Sequence, residues 1–135
     1  MNFISDKLQQ YIDDHTMEES NLLKALDIET HQKVLQPRML SGSYQGRLLA
    51  LLSKMIGPKK ILEVGTYTGY ATLCMAEGLT TGGSIDTIDH NEELADMQRR
   101  YFNQSPYGRQ IVQHLGKAKD ILKTLAGPYD LVFLD

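Results

Sequence analysis

The residues best placed to do chemistry lie in one short run, Ile61-Leu62-Glu63-Val64-Gly65-Thr66-Tyr67-Thr68-Gly69-Tyr70. An apolar stretch ends in an acid and a glycine, and a second glycine follows. This pattern predicts a buried strand that turns sharply into a helix, the place where an open α/β sheet holds a nucleotide-like ligand. The spacing is Glu-x-Gly-x-x-x-Gly. A pyrophosphate loop needs glycine where this chain has Tyr67, because its backbone must approach the phosphates. The loop therefore suits a ligand without phosphate, of which S-adenosylmethionine is the common one. The free N–H groups at the start of the following helix would favour that ligand's carboxylate.

Other candidates fall into place around this turn. Asp89 comes 20 residues after Gly69, at the end of a second apolar stretch. An acid there can accept hydrogen bonds from both ribose hydroxyls, although a plain turn aspartate is the simpler alternative. Glu63 closes a hydrophobic strand, and a buried carboxylate needs a partner. A ligand ammonium and a structural hydrogen bond would serve it equally. Gly116-Lys117-Ala118 follows a third apolar stretch and could edge an adenine ring. Asp135 closes a fourth, where a carboxylate could bind a hard cation through oxygen, but one aspartate is not a metal site. His15, His31, His90 and His114 lack metal-ligand spacing. Only His90, beside Asp89, could touch an adenosine. Cys74 reads as a small buried hydrophobe.

The elements that must position these residues follow from periodicity. Residues 1–58 read as helical. Ile4, Leu8, Tyr11 and Ile12 form one stripe, and Leu22, Leu23, Ala25 and Leu26 begin another. Leu48, Leu51, Leu52, Met55 and Ile56 form a third, which is expected to be buried against the sheet or a second subunit. Gly57-Pro58 stops that helix. From Lys59 strands and helices alternate: strand 61–65, helix 69–79, strand 84–89, a helix capped by Asn91, strand 110–115, helix 118–125 and strand 129–134. The fold class is α/β, a Rossmann-like doubly wound parallel sheet, residues 59–135, preceded by an N-terminal helical segment, residues 1–58. Leu131-Val132-Phe133-Leu134 reads as an interior strand buried on both faces. Nothing follows it to pair with or cover it, so the 135 residues are expected to be the N-terminal part of a longer protein.

Composition narrows the class further. The chain is 41% hydrophobic and 23% charged, as ordinary globular proteins are. A net charge of −3 without a basic block argues against a dedicated nucleic-acid surface. No apolar run is long enough to span a membrane, and the N-terminus is unlike a signal peptide. A single cysteine permits no intrachain disulfide, and a cytoplasmic location fits best.

Taken in order, Met39-Leu40-Ser41-Gly42 with Gln45-Gly46, then Leu62 to Tyr70, Asp86-Thr87-Ile88-Asp89, Gly116-Lys117-Ala118 and Tyr129 to Asp135 resemble the cation-dependent O-methyltransferases. That family includes catechol and caffeoyl-CoA O-methyltransferases. The resemblance implies transfer of a methyl group from S-adenosylmethionine to a hydroxyl of a catechol-like or phenolic acceptor, with a divalent cation, Mg²⁺ first among them. It places Met39 and Ser41 over the cofactor, and Glu63, Gly65 and Tyr67 along its methionine part. Asp89 would hold the ribose, with His90 beside it, and Ala118 the adenine. Asp135 would be the first metal ligand and would also approach the cofactor. A homodimer is expected on the same ground. Ala71 stands where the family often has a serine for the cofactor carboxylate, leaving backbone donors or Thr72. The family's Asp-Ala-Asp-Lys run is cut after its first aspartate, so the 135 residues alone are expected not to methylate. Two alternatives stay open: a tRNA hydroxyuridine methyltransferase of the same family, and a cofactor-binding module without catalysis.

Overall fold

The computed structural model describes residues 4–135. The helical expectation for residues 1–3 lies outside them. Three α-helices and a 3₁₀ turn lead the chain: α1 (Asp6–His15), α2 (Asn21–Lys33), the turn Pro37–Met39, and α3 (Gly42–Ile56). Ser5 and Ser20 cap α1 and α2 by accepting hydrogen bonds from the N–H groups of Leu8 and Leu23. Gly57, in the left-handed region at φ +59°, ends α3 before Pro58.

Strands and helices then alternate: β1 (Lys60–Val64), α4 (Tyr70–Ala76), β2 (Ser84–Asp89), α5 (Glu92–Gln104), β3 (Ile111–Leu115), α6 (Ala118–Ile121) and β4 (Leu131–Leu134). All strand pairs are parallel, in the order β3-β2-β1-β4. This is the Rossmann-like arrangement expected. Side chains alternate across a strand. Ile61, Ile85 and Ile111 are therefore in register on one face, where they join the core with α4. Helix α6 is shorter than expected, because the chain leaves the helix after Ile121 and continues in turns. Helix α4 likewise stops at Ala76 rather than Leu79.

Two apolar faces stay open among the described residues. The first is on strand β4. It pairs with β1 alone among the described strands, with Leu131 and Phe133 packed on the core while Val132 and Leu134 stay 51% and 71% exposed. Among the described residues, one face of this apolar run is covered. The stripe Leu48, Leu51, Leu52, Met55 and Ile56 is also exposed. The buried face of α3 is Gly46, Leu49, Ala50 and Ser53. Small residues face inward because α3 lies close against α4. A Cβ at Gly46 would fall 2.6 Å from Tyr70 Cε1, and one at Gly78 would fall 2.2 Å from Ser53 Oγ.

Candidate functional site

The turn from β1 into α4 is built by glycines in conformations other residues avoid. Gly65 has φ +102° and Gly69 φ +93°. At Gly65 a Cβ would stand 2.8 Å from the carbonyl oxygen of Asp135, so the end of β4 closes on the loop only because no side chain is there. Between the glycines, Tyr67 is the one non-glycine with positive φ among the described residues, at +51°. That conformation is uncommon for a bulky residue and persists where its surroundings fix it.

Asp89 supplies part of that fixing. One carboxylate oxygen accepts from the N–H of Tyr67 at 2.6 Å and the other from the N–H of Asn91 at 2.9 Å. Each oxygen keeps a further lone pair for a ligand. The Tyr67 hydroxyl donates to the carbonyl of Gln36 at 2.7 Å, tying the loop to the segment between α2 and α3.

These parts surround a cavity of about 970 Å³ at the carboxyl ends of the strands. Of the residues singled out in the sequence, Met39, Gly65, Tyr67, Asp89, His90, Ala118 and Asp135 line it, and Gly116 and Lys117 join them. Ser41 stands at its edge, its hydroxyl donating to Asp135 at 3.5 Å. Glu63 and Ala71 are not at the cavity wall. Both are buried behind the loop. Thr72 does not face the cavity as a replacement for the family's serine, because its hydroxyl donates to Glu63.

Glu63 is the most unusual electrostatic feature. Thr72 and Thr87, the latter at 2.5 Å, donate to one of its oxygens, and the other has no partner. Burial pushes its carboxyl up to about 7, and the charges of Asp135 and Asp89 add to the rise against the two hydroxyl donors. Cys74 fits the plain reading: it is fully buried, and burial pushes its thiol up to about 12.

Part of the opposite wall left no sign in the sequence. Val34, Leu35 and Gln36 line the cavity from the segment between α2 and the 3₁₀ turn. That segment has no periodicity to read, and Gln36 takes part through a main-chain carbonyl that any residue would supply. Asn91 was legible as a cap, through Glu93 N–H at 3.0 Å, but not as a wall residue.

The profile of the O-methyltransferase family matches residues 13–135. The chain belongs to that family. Among curated relatives it is 31% identical to a catechol O-methyltransferase of Niastella koreensis, over 99% of this chain and 62% of the relative. It is 33% identical to caffeoyl-CoA O-methyltransferase 2 of Zea mays, over 97% of this chain and 52% of that one. Among solved structures it superposes on the O-methyltransferase TomG of Streptomyces achromogenes, in complex with SAM. There the TM-score is 0.87 at 28% identity, covering 96% of this chain and 59% of TomG. The chain thus spans between half and two thirds of the length of these O-methyltransferases. Among the described residues no three His, Cys, Asp or Glu side chains come together as metal ligands, and no helix is long and apolar enough to cross a membrane.

Proposed function

We propose that the protein binds S-adenosylmethionine in the cavity between Asp89, the Gly65–Gly69 loop and the 34–41 segment, and serves methyl transfer to a catechol-like or phenolic hydroxyl. The carrying observation is Asp89: a carboxylate at the end of β2, held by two backbone N–H groups and facing the cavity. Its fixed orientation matches a cis-diol, since both oxygens can accept at once. The cofactor also suits the charge of the site. S-adenosylmethionine carries a sulfonium and an ammonium, and Asp89 and Asp135 both line the cavity.

When bound, the cofactor supplies an electrophilic methyl group. The chain's own part is to hold and orient. Asp89 would fix the ribose, Gly116 to Ala118 would edge the adenine, and Met39 would cover the ligand from the opposite wall. Such positioning is a large part of what catalysis of a displacement requires. The family resemblance adds a divalent cation at Asp135. The described residues offer it one carboxylate rather than a set of ligands. Titration with S-adenosylhomocysteine tests the reading. Saturable binding that Asp89→Ala weakens supports it, and no binding to a folded chain overturns it.

We also propose a homodimer. Leu48, Leu51, Leu52, Met55 and Ile56 on α3 are exposed together, and no residue of α1 is buried. An apolar face of that kind is typical of an association surface.

A further inference from the structure

Helix α5 turns Leu94, Gln98, Tyr101 and Phe102 inward. Three suit a core; the fourth does not. Gln98 is 2% exposed, and a carboxamide in that position is costly unless both of its ends are bonded. Both are. Its Nε2 donates to the carbonyl of Tyr67 at 2.5 Å, and its Oε1 accepts from Gln113 Nε2 at 2.5 Å. Gln113, on β3, donates as well to the carbonyl of Ala95 at 3.1 Å, which fixes which way round Gln98 is held. An apolar residue would fill the stripe without these requirements.

The recipient of the bond is Tyr67, in its left-handed conformation. Asp89 holds the N–H of this residue and Gln98 its carbonyl. Peptide groups are planar, so turning the carbonyl toward α5 turns the following N–H, that of Thr68, away from it. The two side chains together fix the peptides on both sides of one strained residue. That residue lines the cavity, and its ring reaches the opposite wall.

We propose that Gln98 is a positioning residue, with Gln113 as its support: it holds the Tyr67 carbonyl and so keeps the Gly65–Gly69 loop in the shape that accepts the ligand. The proposal rests on the cofactor reading above for its functional consequence, but the clamp itself has a ligand-independent readout. Gln98→Met keeps length and removes both hydrogen bonds. Gln113→Met keeps Gln98 but frees it to turn. Tyr101→Phe, on the same helix as Gln98, removes bonds to Glu29 and Ala25 of α2 and is the control for general destabilisation.

Three measurements on the full chain decide the matter: affinity for S-adenosylhomocysteine by calorimetry, the thermal midpoint, and the carbonyl-carbon resonance of Tyr67 in labelled protein. Gln98→Met should weaken binding about tenfold, the size of one buried hydrogen bond, and move the Tyr67 carbonyl resonance. Gln113→Met should do the same in smaller measure. Tyr101→Phe should lower the midpoint without either effect. Affinity within twofold of the parent in a folded Gln98→Met chain, with the resonance unmoved, overturns the proposal. Should Gln98→Met fail to fold, Gln113→Met is judged by the same criteria. If the parent chain binds no S-adenosylhomocysteine, the cofactor reading fails, and the resonance alone then decides the clamp.

Discussion

Asp89 and Tyr67 meet through a single 2.6 Å bond from the tyrosine N–H to the aspartate carboxylate. The bond joins the end of β2 to the turn after β1, and it leaves lone pairs on Asp89 facing the cavity. Asp89→Ala should therefore weaken S-adenosylhomocysteine binding by about 1.5–3 kcal/mol per lost charged-acceptor bond. Asp89→Asn, which can still accept from Tyr67, should lose less. Unchanged affinity in Asp89→Ala, measured by calorimetry, would separate the ligand from the carboxylate.

Two glutamates should give the stability profile opposite slopes. Glu63 has its carboxyl raised by burial from an ordinary 4.5 to about 7. The folded state thus holds this proton more tightly than the unfolded chain. Its contribution is complete below about pH 4.5 and is lost as pH rises through about 7, amounting to about 3 kcal/mol. Glu29 is the reverse. Bonds from Arg100, Tyr101 and Lys33 hold its carboxyl well below the usual range, so its contribution is present above about pH 4.5 and lost on acidification. Urea titrations from about pH 2 to 9 check both signs. Glu63→Gln should flatten the alkaline side, and Glu29→Gln the acid side.

Gly46→Ala tests the closeness of α3 and α4. The exchange gains about 1 kcal/mol of helix propensity. Against that, the new methyl meets Tyr70 and Cys74, both buried, and Tyr70 is further tied by its hydroxyl to Glu19. Overpacking should win, with a net loss of about 1–2 kcal/mol seen as a lower denaturation midpoint.

The outer face of α3 should behave differently. Leu48→Lys with Met55→Lys touches nothing buried and should leave monomer stability nearly unchanged. If the face joins two copies, light scattering at micromolar concentration should show a dimer for the parent chain and a monomer for the double variant. A monomeric parent would count against the dimer.

Much of the architecture was legible because local signals agreed with it. Asn91 capped its helix as expected, Gly57-Pro58 ended α3, and the β1–α4 turn announced itself through Gly65 and Gly69. What escaped was whatever depends on a partner element. The stripe on α3 is regular, and periodicity finds a two-sided helix without saying which side is inside. Close packing set Gly46, Ala50 and Ser53 against α4 beside Leu49, where larger side chains at those three positions would not fit. Strand β4 shows the same limit, since its covered face depends on neighbours that its own residues do not name. In the site, side chains at the strand ends were readable from spacing. Contacts made by main-chain atoms, such as the carbonyl of Gln36, leave no trace in residue identity.

All seven residues of α4 are buried. A helix so enclosed cannot yield without opening the core on every side, so the wall of the cavity that carries the glycine turn is a fixed abutment. The opposite wall, residues 34–41, is joined to it through the Tyr67 hydroxyl on Gln36 and the Ser41 hydroxyl on Asp135. Traffic into and out of the cavity should therefore be one-sided. The residence time of a bound molecule is then set by how often two surface hydroxyl bonds let go, and hardly at all by the breathing of the core behind it.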